Sequence, residues 1–161
     1  MAVVIADAGP LIAFAKVNQL NVLAQFFSCV SITQSIKEEV LAIESNDALL
    51  IQAAIDEGWL QCVDDPELKT VTSRSLGLGE ITAIEYALQS KEAVLLIMDD
   101  ALARKKALRY QLHIVGTAML IYTAENQQLI NNADELIEEL RIKDYRISKS
   151  VIALVKAQIS S

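Results

Sequence analysis

The chain has 161 residues, of which 53% are hydrophobic and 22% charged. That is the size and composition of one folded domain with its own core, and it excludes a disordered segment. Its 14 basic and 21 acidic residues leave a net charge of −7. This excludes a protein that coats nucleic acid by general electrostatics, but not an enzyme with an acidic metal centre, because bound cations reverse the local field.

The N-terminal run Met1–Lys16 lacks a basic leader region, and Asp7 interrupts its apolar stretch. No stretch reaches the roughly 18 apolar residues that a spanning helix needs. A cytoplasmic protein without a membrane segment is expected. Cys29 and Cys62 are too few for a disulfide framework and lack metal-ligand spacing, so both are expected to be small buried hydrophobes in a reducing compartment.

Taken in chain order, Val3 to Ala6 reads as a first strand. Pro10 suits the first turn of a helix, and apolar residues continue through Leu23. Cys29 to Ile32 is a second strand, followed by a helix from Ser35 to Ile43. Another helix runs from Asp47 to Glu57 and closes at Gly58. Trp59 to Val63 reads as an edge strand and residues 64–78 as loop. Glu80 to Gln89 is a helix with Ile81, Ile84 and Leu88 on one face. Val94 to Met98 is a fully apolar strand, followed by a helix from Ala101 to Tyr110. His113 to Val115 is a short strand and Thr117 to Glu125 a helix. Two closing helices lie near Ala133–Arg141 and Lys149–Ile159.

Strands alternating with helices predict an α/β fold: a three-layer α/β/α sandwich around a parallel sheet of four to five strands. The expected domain is single, residues 1–161, with a C-terminal helical extension from about 130 to 161. In such sheets, sites form beyond the carboxyl ends of the strands.

That edge collects acids. Asp7 ends the first strand, and Asp99 and Asp100 end the Val94–Met98 strand. Glu80 opens the helix after Gly77-Leu78-Gly79, and Glu39 lies one turn into the helix after the second strand. Crowded carboxylates repel one another, and a cation stabilises such a cluster. All-oxygen ligands point to Mg²⁺ or Mn²⁺, which can activate water for phosphodiester hydrolysis.

Each acid also has a local explanation. Asp7 and Asp99 are good helix N-caps, and Glu80 suits a first helical turn. Ser35-Ile36-Lys37-Glu38 fits a capping box, which assigns Glu38 a local task and leaves Glu39 as the ligand candidate. The metal set is Asp7, Glu80, Asp99 and Asp100, with Glu39 added to the catalytic set. Arg104, Lys105 and Arg109 are candidate contacts to the phosphates of a nucleic-acid substrate. The tail from Arg141 to Lys156 is also basic, against Asp144.

These segments resemble the PIN-domain family. Val3-Val4-Ile5-Ala6-Asp7 resembles its opening strand, Ile36-Lys37-Glu38-Glu39-Val40 its second acidic position, and Leu78-Gly79-Glu80 with Ala87 its third. Leu96-Ile97-Met98-Asp99-Asp100 resembles its strand-end position. A bacterial and archaeal PIN-like group also carries an Arg after the acid pair, an Ile/Val-Gly-Thr turn and an Arg-Ile-Ser step. Arg104, Val115-Gly116-Thr117 and Arg146-Ile147-Ser148 stand there here. The resemblance implies a Mg²⁺- or Mn²⁺-dependent ribonuclease, of the kind found as toxins of type II toxin–antitoxin pairs. It also implies an RNA substrate, a small antitoxin partner and a homodimer. A catalytically weak module that binds nucleic acid or an antitoxin is the alternative. Many PIN nucleases have Thr or Ser two residues before the strand-end Asp. This chain has none there, so Asp99 and Asp100 both stay in the set.

A dinucleotide fingerprint is excluded, because Gly77-Leu78-Gly79 lacks the third glycine and the preceding strand. A haloacid-type phosphatase needs an Asp where Gly9 stands. His113, Met98, Met119 and Trp59 read as core or strand residues.

Overall fold

The computed structural model describes residues 2–161. Five parallel strands form one sheet: β1 (Val3–Ala6), β2 (Val30–Thr33), β3 (Leu60–Val63), β4 (Val94–Ile97) and β5 (His113–Val115), in the order β3-β2-β1-β4-β5. Helices cover both faces, giving the three-layer α/β/α sandwich expected. They are α1 (Ala8–Lys16), α2 (Asn21–Phe27), α3 (Gln34–Leu41), α4 (Asn46–Glu57), α5 (Leu78–Gln89), α6 (Ala101–Arg109), α7 (Thr117–Asn126), α8 (Ala133–Ile142) and α9 (Lys149–Ser160).

The strand order follows from the sequence of crossovers. From β1 the chain winds outward through β2 to the edge strand β3. It then returns through α5 to place β4 on the other side of β1. β1 and β4 pair in register from Val3 with Val94 to Ala6 with Ile97. Asp7 and Asp99 therefore leave adjacent strands at one edge, at the point where the winding reverses. Such a switch point opens a crevice in doubly wound sheets.

Branched aliphatic residues make the core. Ile5, Leu11, Leu23, Ile32, Ile36, Ile51, Leu60, Ile84, Leu96 and Ile97 are fully buried together with Phe14 and Met98. At about 1.5–3 kcal/mol for each such side chain removed from water, this core dominates the stability. Met119 and Trp59 are only partly buried against it, and His113 on β5 is exposed.

Several expectations need correction. The apolar run from Pro10 to Leu23 is two helices, not one. α1 stops at Lys16, and Asn18 takes a left-handed φ of 54° before α2 begins, a conformation that Asn tolerates better than most residues. Both helices face the same core, so apolar spacing runs across the break unchanged. Strand β2 starts at Val30, one residue later than expected. This leaves Cys29 exposed and Cys62 half-buried, so neither cysteine is a fully buried hydrophobe. Gly58 does close α4, with φ 93° and its N–H directed to the Ala54 and Ile55 carbonyls.

The capping box at Ser35–Glu38 does not form. Thr33 is the N-cap of α3, its hydroxyl accepting the Ile36 N–H at 3.3 Å. The Ser35 hydroxyl turns instead to Asp65, 2.5 Å away, and its N–H also donates to Asp65 at 2.9 Å. This pins the long 64–77 segment to α3. Glu85 pins its middle: fully buried on α5, it accepts N–H groups of Lys69 and Thr70 at 2.5 Å and of Val71 at 3.3 Å. Burial opposes its charge. The three N–H donors outweigh that and hold its carboxyl below the usual range.

Candidate metal centre

The rim is assembled by contacts between helix starts. Thr33, at the start of α3, shares a buried hydrogen bond of 2.9 Å with Thr82 of α5. The Thr82 hydroxyl also reaches the Gly79 carbonyl at 3.0 Å. These bonds draw the first turns of α3 and α5 together, and with them Glu39 and Glu80. Gly79 makes the approach possible. A Cβ there would meet Ile36 Cγ1 at 3.2 Å, Glu39 Oε1 at 3.6 Å and Asp7 Oδ1 at 3.7 Å. Two of the expected acids thus converge on one glycine.

Asp7 is the most enclosed acid, 7% exposed. It occupies the N-cap position of α1, yet its side chain makes no capping bond, so helix capping does not account for it. Burial is the main force raising its pKa to about 7. Repulsion from Glu80, Glu39 and Asp99 adds to this, while the Ala8 N–H offsets part of it.

Glu80 is half-buried in the first turn of α5 and accepts the Gly77 N–H through Oε1 at 3.0 Å. Its pKa is also raised, first by burial and then by Asp100 and Glu39, against the lowering effect of Gly77. Its capping role and its place in the cluster coexist, because one carboxylate has several acceptor positions.

The adjacent acids Asp99 and Asp100 separate clearly. Asp100, not Asp99, is the N-cap of α6, with Oδ2 accepting the Ala103 N–H at 2.9 Å. Asp99 is held by α7: it accepts the Thr117 N–H at 2.7 Å and the Thr117 hydroxyl at 2.6 Å. A third donor is the hydroxyl of Tyr145, from the segment between α8 and α9. Glu39 and Asp100 are both exposed to solvent.

None of these five acids forms an ion pair with a Lys or Arg among the described residues. Nor do any three acidic, His or Cys side chains among those residues stand close enough to form a finished cage for an ion. The donor set fits a hard divalent cation in chemistry, being all oxygen and anionic. A bound ion would have to draw Asp7, Glu80 and the Asp99-Asp100 end closer together.

A family model described as a PIN domain matches residues 3–161. The chain belongs to the PIN-domain family. PIN domains have a nuclease-type fold, are generally nucleases and typically use divalent metals. No curated protein matches this PIN domain. No helix among its described residues is long and apolar enough to cross a membrane.

Beside the acids of the PIN domain lies a groove of about 710 Å³ between α6 and α9, with Asp99 among its lining residues. Ala101, Arg104, Lys105 and Leu108 line one wall, spaced as one helical face. Arg109 does not line the groove. Arg104 lies next to Asp99 through Gly116 and donates to the Met98 carbonyl at 2.8 Å. Arg146 adds a basic group from the opposite side. Sequence reasoning missed Tyr145 and the role of Thr117, although Thr117 belongs to a motif that carries the family resemblance and Tyr145 adjoins another.

Proposed function

We propose that this PIN domain is a Mg²⁺- or Mn²⁺-dependent endoribonuclease, acting as the toxin of a type II toxin–antitoxin pair. Asp7 carries the reading. A buried carboxylate pressed by Glu39, Glu80 and Asp99, and in no ion pair with a Lys or Arg among the described residues, is costly unless an ion neutralises it. In the proposed centre, Asp7, Glu80, Asp99 and Asp100 hold the metal, and Glu39 completes the acidic rim. When bound, a divalent ion supplies a water of lowered pKa and a counter-charge for the leaving oxygen.

The protein's own share is binding and orientation. Thr117 and Tyr145 fix Asp99, the Ala103 N–H fixes Asp100, and the Gly77 N–H fixes one oxygen of Glu80. Arg104, Lys105 and Arg146 would hold the phosphates of an RNA strand as it leaves the acids along the groove. Residues 1–161 acting as one unit, a homodimer, a small antitoxin partner and a cytoplasmic location belong to the same proposal and rest on the family resemblance.

A second reading is a non-catalytic PIN module that binds nucleic acid or an antitoxin. It is favoured by the open spacing of the acids and by the capping bonds that Asp100 and Glu80 already make. Titration with Mn²⁺ separates the two. The nuclease reading expects wild type to gain thermal stability with Mn²⁺ and to cleave RNA, and Asp7→Asn to lose both. A wild type that neither binds Mn²⁺ nor cleaves RNA at millimolar metal leaves the binding module.

A further inference from the structure

Asp99 is the most fully engaged acid of the rim. Oδ1 accepts one N–H from Thr117, and Oδ2 accepts the Thr117 and Tyr145 hydroxyls. A carboxylate offers about four acceptor positions, so only one remains for a ligand. Thr117 is set by the start of α7. Tyr145 arrives from far along the chain, on a segment anchored at the end of α8. Its own N–H donates to the Leu140 carbonyl at 2.8 Å, and the neighbouring Lys143 ammonium donates to the Lys16 carbonyl at 2.7 Å.

The phenol oxygen is also boxed in from the other side. Gly9, in the first turn of α1, approaches so closely that a Cβ there would lie 3.1 Å from the Tyr145 hydroxyl but 4.0 Å from the nearest ring carbons. The start of the helix that follows Asp7 thus leaves little room for a methyl group beside the oxygen that grips Asp99. The phenol O–H donates to the Asp99 carboxylate.

We propose that Tyr145 is a positioning residue of the acidic centre, its hydroxyl fixing the Asp99 carboxylate so that the remaining acceptor position is offered to a metal ion. The proposal rests on the metal-dependent reading above. It makes the α8–α9 connection part of the centre, though it carries none of the acids.

Two substitutions test it from opposite sides. Tyr145→Phe keeps the ring and deletes one O–H. Loss of a group that orients a metal ligand typically weakens metal binding by about 10-fold or more. Calorimetric Mn²⁺ affinity should fall by that factor, with little change in the melting temperature of the metal-free protein. Gly9→Ala should displace the hydroxyl and weaken Mn²⁺ binding by a smaller factor, although alanine favours the helix itself. In the Tyr145→Phe background the crowded oxygen is gone, so Gly9→Ala should have no further effect. Wild-type Mn²⁺ affinity in Tyr145→Phe, or an equal loss from Gly9→Ala in both backgrounds, overturns the positioning role and leaves the metal reading standing. A wild type that binds no Mn²⁺ overturns both.

Discussion

Replacing Asp7 with Asn should make the metal-free protein more stable above neutral pH, the reverse of what deleting a buried polar group normally does. Asp7 ionises near 3.8 when exposed and at about 7 in the folded protein. Between those values the folded state holds a proton that the unfolded state has released, so stability falls as pH rises through that window. At about 1.4 kcal/mol per pKa unit the whole effect is roughly 4 kcal/mol, and the part falling between about pH 5.5 and pH 8 is roughly 2 kcal/mol. Asn has the same shape and no charge, so its variant should lose most of this slope. Some should remain, in the same direction, from the raised pKa of Glu80. Urea unfolding in the presence of EDTA at the two pH values measures it. An unchanged slope in Asp7→Asn, or a variant destabilised equally at both pH values, refutes the account of Asp7 as a buried carboxylate held against the charge of its acidic neighbours.

Glu85 should behave with the opposite sign. Its folded pKa is depressed, so its contribution is present above the ordinary value of 4.5 and is lost as pH falls below it. Glu85→Gln should cost about 2 kcal/mol at neutral pH, read as a lower urea midpoint with faster proteolysis within residues 64–77. In the groove, Lys105→Gln and Arg146→Gln should each weaken binding of an RNA oligonucleotide and lower its salt dependence by about one charge, leaving Mn²⁺ affinity unchanged. An unaltered salt slope removes the groove from the RNA path.

Much of the site was legible because its carriers are local. A strand ending in Asp, a glycine before a helix-opening Glu and an apolar run ending in two acids are short patterns that place each acid at the carboxyl edge of the sheet. β1, β4 and β5 could be placed for the same reason, as brief apolar runs between polar turns. The errors arose where distant residues overrule local preference. Ser35 has the right neighbour for a capping box, but Asp65, 30 residues away, takes its hydroxyl. Thr33 caps the helix instead. Asp99 looked like a helix cap, but Thr117 and Tyr145 claim it and Asp100 caps α6 instead. Periodicity carries no trace of a bond spanning 46 residues. The break at Asn18 was hidden because α1 and α2 bury the same side.

The bond between Tyr145 and Asp99 also sets a timetable. Translation delivers Asp7, Glu39, Glu80 and then Asp99 well before residue 145 appears, and domains assemble as the chain emerges. Until the segment after α8 folds back over α1, one donor of the Asp99 carboxylate is missing. In a nascent chain the Asp99 carboxylate therefore gains its Tyr145 donor only after the residues of all five strands have been made.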